Sequence, residues 1–148
     1  NEKVTENQPN KDQCELLEVS LNVNGKGEGE PLWLGDKLKV EIKFKIGKEM
    51  LFNLSMKLKS GLGDVVLNTW TNPKIMVPGL HSATLHIPPN FLNDLNYSFD
   101  IFLVGPDSKV LLEKNDILRF SVNEERREGF YHHKVGGLVR PELNFVIN

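Results

Sequence analysis

The segment GFYHHKVGGLVRPELNF, residues 129–145, brings a tyrosine, two histidines, a lysine, an arginine and a pair of glycines together just ahead of the last apolar run. Such a set can serve catalysis, metal ligation or the gripping of a ligand, and glycine-bounded loops are where such work concentrates. Metal ligation needs converging donors. His132 and His133 are neighbours and point to opposite sides of an extended segment. With Cys14 the single cysteine and only His81 and His86 elsewhere, the usual zinc spacings are absent, so no metal or cofactor is expected. Nucleophilic catalysis lacks its G-x-S-x-G elbow, and Cys14 adjoins a polar tract rather than a histidine. Asp94, Asp100, Asp107 and Asp116 offer carboxylates, but glycoside hydrolysis needs two of them at a set separation across a cleft. Most of them fall at turn positions, where aspartate has a local reason to occur.

Ligand gripping has better material. Trp70 closes an apolar run and is followed by Thr71, Asn72 and Pro73, while Tyr131 and His132 stand on the quoted loop with Arg140 beyond them. A flat ring flanked by amides and hydroxyls suits a sugar, whose C–H face stacks on the ring while its hydroxyls exchange hydrogen bonds. On local sequence alone, Trp70 and Tyr131 as plain core caps are equally open.

The elements that must position these residues read as strands. KLKVEIKFKI, residues 37–46, alternates Leu38, Val40, Ile42, Phe44 and Ile46 with Lys37, Lys39, Glu41, Lys43 and Lys45. Period two over that length is a half-buried strand. Residues 52–59 repeat the pattern, and a short run follows at 65–70, making a meander. Further strands are expected at 15–23, 80–87, 95–104, 109–113, 117–123 and 138–147, with one helical turn at 90–94. Turn signals such as Pro78-Gly79 and Gly105-Pro106-Asp107 separate them. Short strands at this spacing without an amphipathic helix argue for an all-β chain folded as an antiparallel β-sandwich. The lysines of 37–45 read as a solvated face, or as protection against edge pairing, in preference to a polyanion track. NGKGEGEP, residues 24–31, alternates glycine with charge but lacks the further glycine and helix of a phosphate loop, so it reads as a plain loop.

A chain of 148 residues fits one domain. The formal net charge of −2 gives no broad positive field for phosphate backbones, so nucleic acid is not an expected partner. One cysteine fits a reducing compartment, in which the sequons at Asn53 and Asn96 carry no meaning. Residues 1–13 are polar and begin with Asn, which reads as a linker from a preceding domain, with the sandwich over 14–148.

LWLGDKLKVEIKFKI, DVVLNTWTNP, GLHSATLHIPPNFLNDLNYSFDIFLVGPDSKVLL and GFYHHKVGGLVRPELNF, taken in that order, resemble the C-terminal domain of the Wzt-type ATPase subunits of bacterial O-antigen ABC transporters. The resemblance runs from Leu17 to the end and rests on fold signatures; none of its motifs is catalytic. It implies an immunoglobulin-like or jelly-roll sandwich that binds finished O-polysaccharide without making or breaking bonds. Its implied place is the cytoplasm, at the inner face of the bacterial inner membrane. Its implied partners are the glycan, an ATPase domain of the same longer chain and a membrane transporter subunit. The resemblance also implies a homodimer that can exchange its last strand, for which Gly136 and Gly137 would be the hinge. The family usually follows its late proline with an aromatic, often tryptophan, where this chain offers Phe145. Guided by that fold, the expected glycan contacts are Trp70, Thr71, Asn72, Tyr131, His132 and Arg140. The competing readings are a protein-interaction sandwich that docks a partner by a face or a strand edge, and a hydrolase of sandwich fold.

Overall fold

The computed structural model describes residues 1–24, 26 and 30–124. Along them run β1 (Glu2–Lys3), β2 (Cys14–Val23), β3 (Leu38–Ile46), β4 (Met50–Ser60), β5 (Val65–Trp70), β6 (Lys74–Met76), β7 (Gly79–Ile87), β8 (Asn96–Val104) and β9 (Val110–Ser121). One sheet has the order β1-β2-β3-β7 and the other β5-β4-β8-β9, with β6 also paired to β4. Every pairing between these strands is antiparallel. The chain is an antiparallel β-sandwich, as its alternation implies.

The strands β3 and β4 show how the sequence closes the two layers. In β3, Leu38, Val40, Ile42, Phe44 and Ile46 are buried while Lys39, Lys43 and Lys45 are exposed. In β4, Met50, Phe52, Leu54, Met56 and Leu58 are buried, and the intervening side chains face outward. The two apolar rows meet inside, where Phe44 stacks on Phe52 with ring centroids 5.2 Å apart. Such offset aromatic pairing adds to the area term that drives the layers together. Because β3 lies between β2 and β7, its lysines guard no edge. They solvate the outer face of the first sheet.

Four features depart from the sequence expectation. The strands β1 and β6 are too short for period two to reveal. The helical turn expected at 90–94 is absent, and Asn90 instead takes a left-handed φ of 60°. A 3-10 turn occurs at Pro106–Ser108. The two strands expected at 109–113 and 117–123 form one strand, β9, because the Asn115-Asp116 turn signal becomes a bulged kink. Register slips between Tyr97 and Phe99 and between Phe99 and Ile101, where Asp116 and Leu118 take φ of 55° and 58°.

The residues ahead of Cys14, expected as a linker, contribute a short strand to the first sheet. β1 pairs with β2. The Gln8 amide donates to Leu16 O at 2.7 Å and accepts from Leu16 N at 2.8 Å, beside the bulge between Leu16 and Glu18. A buried side-chain amide thereby stands in for a strand neighbour. Tyr131, His132, Arg140, the hinge Gly136 and Gly137 and the strand expected at 138–147 lie outside the described residues.

Candidate functional site

The side of the sandwich where β5 and β7 run along their respective sheets opens into a cleft of about 140 Å³. Ile42, Leu54 and Met56 form its apolar floor, and Thr69, Thr71 and Thr84 carry hydroxyls around it. Trp70 stands at its lip and is 66% exposed. That exposure rules out the core-cap reading for the indole.

Why the chain presents Trp70 here follows from β4, which is longer than β5. β5 pairs with Ser55–Lys59 and β6 with Met50–Phe52, so the chain must step between them at Thr71-Asn72-Pro73. Thr71 bridges the step. Its amide donates to Leu54 O at 2.9 Å and its hydroxyl accepts from Leu54 N at 2.9 Å. The side chain thus completes a ladder that Pro73 interrupts. Thr71 Oγ1 also lies 3.5 Å from Leu54 O, which takes its proton and leaves one lone pair toward the cleft. Asn72 is exposed beside it. Of the expected contacts, the structure brings Trp70, Thr71 and Asn72 together on one tight step.

Register extends this corner into a row. Trp70 pairs with Ser55, and Ser55 pairs with Phe102 across β8. Side chains two residues apart share a face, so Asn68, Lys57 and Asp100 form the next row of the same outer surface. Lys57 Nζ sits 5.4 Å from the Phe102 ring centroid, a cation–π contact. Two rings, hydroxyls, amides and one paired cation thus share an outer face. A second exposed indole, Trp33, was not singled out in the sequence. Its amide donates to Asp36 Oδ2 at 2.7 Å, Lys26 Nζ pairs with the same oxygen at 2.6 Å, and that ammonium lies 5.9 Å from the ring. The signal was present in LWLGD, as an aspartate three residues after a tryptophan that it can cap.

Among the described residues, several groups of reactive type are engaged in the fold. Burial pushes the Cys14 thiol up to about 11 and the Tyr97 phenol up to about 12, and the phenol donates to Asn93 O at 2.7 Å. His81 stacks on Phe44 and bonds Val77 O through Nε2 at 2.7 Å. Hydrogen bonding to Lys59 holds the Asp116 carboxyl below the ordinary aspartate range, the opposite of what a general acid requires. Among the described residues no three His, Cys, Asp or Glu side chains gather as metal ligands. No helix among them is long and apolar enough to cross a membrane.

No family model matches the sequence, and no curated protein does either. Solved structures do match. The crystal structure of the C-terminal domain of Wzt superposes with a TM-score of 0.70, covering 91% of this chain and 84% of that one at 10% identity. The fold is that of the Wzt C-terminal domain. A β-D-mannosidase from Dictyoglomus thermophilum matches with a TM-score of 0.51 and 15% identity over 74% of this chain, which spans only 13% of that enzyme. The Wzt likeness therefore accounts for nearly the whole length on both sides, whereas the glycosidase likeness concerns one module of a much larger protein. The Wzt fold also matches the sandwich implied by LWLGDKLKVEIKFKI, which supplies β3 and the turn before it.

Proposed function

We propose that the chain is a non-catalytic carbohydrate-binding module that grips a bacterial O-antigen polysaccharide. The observation that carries the reading is the exposed Trp70 indole, held on the Thr71 step at the lip of a hydroxyl-bearing cleft. A sugar ring would stack on the indole, Asn72 and the free lone pair of Thr71 would meet its hydroxyls, and Tyr131, His132 and Arg140 would close the other side. Each direct bond in such a wet site contributes on the order of 1 kcal/mol, so a long polymer is retained by repetition and by pairing of modules. The Wzt fold supports the wider setting. The module follows an ATPase domain, works at the cytoplasmic face of the inner membrane beside a transporter subunit, and selects glycan for export. It dimerises, with Gly136 and Gly137 allowing the last strand to pass between protomers.

Calorimetric titration with O-polysaccharide tests this. Binding is expected for the native chain and its loss for Trp70→Ala at an unchanged thermal midpoint. Unchanged affinity of the variant would remove Trp70 from the site, and no binding by the native chain to any O-polysaccharide tried would end the reading. A second reading, docking of a protein by strand addition, is favoured by one feature. Among the described residues β7 pairs only with β3, and its outer edge begins at the exposed Leu80. Capture of a peptide strand on β7, with no glycan binding, would support it.

A further inference from the structure

Four residues along β4 from Ser55, on the same outer face, the second sheet opens into a polar pocket of about 460 Å³. That volume lies in the range of small-molecule sites, roughly 300–1,000 Å³. The kinked strand β9 borders it. Where Asp116 and Leu118 turn left-handed, β9 slips in register against β8, and Asp116, Arg119 and Ser121 come to line one wall.

The chemistry of the lining is specific. Asn96, Ser98 and Ser121 are among the lining residues, giving it an amide and two hydroxyls. Ser121 Oγ donates to Asn96 Oδ1 at the rim. Half-buried Phe120, stacked on the buried Tyr97 with centroids 5.4 Å apart, adds an apolar patch. The charges cancel. Lys59 Nζ lies 2.9 Å from Asp100 Oδ1 and 2.8 Å from Asp116 Oδ1, and Asp116 N donates to Asp100 Oδ1 at 2.9 Å. With Lys59 neutralised and Arg119 standing near Asp116, no net positive field is left to draw an anion. An uncharged ring with many hydroxyls and an apolar face fits this lining better than a phosphate or a uronate.

We propose that the pocket is a second glycan subsite, taking one neutral pyranose unit of the polymer that stacks on Trp70. The proposal rests on the carbohydrate reading above. Lys59 follows Ser55, the pairing partner of Trp70, by four residues, which at about 3.3 Å per residue places the subsites roughly 13 Å apart along one face.

Titration of the isotope-labelled full chain, followed by amide resonances, tests the subsite directly. The probes are the methyl pyranosides of glucose, galactose and mannose, with glucuronate and inorganic phosphate for comparison. At least one neutral pyranoside is expected to move Ser60, Asn96, Ser98 and Ser121 saturably, and to do so equally in Trp70→Ala. Ser121→Ala removes an exposed lining hydroxyl and should keep the thermal midpoint while weakening that binding about fivefold. The subsite is overturned if no neutral pyranoside moves these resonances, if glucuronate or phosphate moves them as strongly, or if Ser121→Ala leaves the affinity unchanged. Responses confined to Thr71 and Thr84 would sink the subsite and spare the reading built on Trp70. Responses confined to the pocket, with polysaccharide affinity intact in Trp70→Ala, would do the reverse.

Discussion

The two outer faces of the sandwich obey one alternation and present different chemistry. On the first sheet the outward positions of β3 are Lys39, Glu41, Lys43 and Lys45, set opposite Asn22, Ser20, Glu18 and Glu15 of β2. On the second sheet the outward rows hold Trp70, Ser55 and Phe102, then Asn68, Lys57 and Asp100, then the polar pocket. Period two decides only that a side chain faces water. What stands there separates a surface that keeps the protein dispersed from one that can hold a ligand: flexible lysines present little fixed shape, whereas rings and pinned amides do.

Removal of the indole should break that contrast most sharply. Trp70→Ala is expected to weaken polysaccharide binding at least tenfold with no change in unfolding midpoint, read by calorimetry beside a thermal melt. Thr71→Val comes next. It strips the acceptor from Leu54 N at the step between β5 and β6, and should cost about 1–2 kcal/mol in chemical denaturation. Thr71→Ser should recover most of that loss, since the hydroxyl returns.

A subtler contrast lies in pH. Asp116 is held below its ordinary range mainly by the hydrogen bond to Lys59, and Lys59 is raised by its bonds to Asp116 and Asp100. The carboxylate's contribution is complete above the unfolded aspartate value of about 4 and fades as pH falls through its lower folded value. The ammonium's contribution is complete below about 10.4 and fades as pH rises through its higher folded value. Native stability relative to Lys59→Met should therefore be flat between those limits and shrink at both ends, as denaturant midpoints across pH would reveal. On the opposite face, Lys39→Gln with Lys43→Gln should change neither glycan affinity nor stability beyond about 0.5 kcal/mol. A loss of binding in that double variant would mean that the wrong face had been chosen.

How much of this could be read in the residues depends on the range of each signal. β3 and β4 were legible because period two is a local property and their apolar phases run unbroken, and β5 because a short run follows a turn signal. β6 was hidden by its length of three residues and by its dependence on the far end of β4. β9 was read as two strands because Asn115-Asp116 looks like any turn until pairing with β8 carries it through as a bulge. Trp70, Thr71 and Asn72 could be singled out because ring, hydroxyl and amide are adjacent in sequence. Ser60, Asn96, Asp116 and Ser121 were not singled out together, since three strands bring them into one pocket. Strand pairing across distant segments leaves no local mark.

The kink in β9 has a consequence for how such a pocket would diversify. One of its walls follows a strand bent at Asp116 and Leu118, where the main chain turns left-handed. Lineages carrying the same bend could exchange the lining piece by piece and change the guest while keeping the mould, so shape would be inherited and taste acquired.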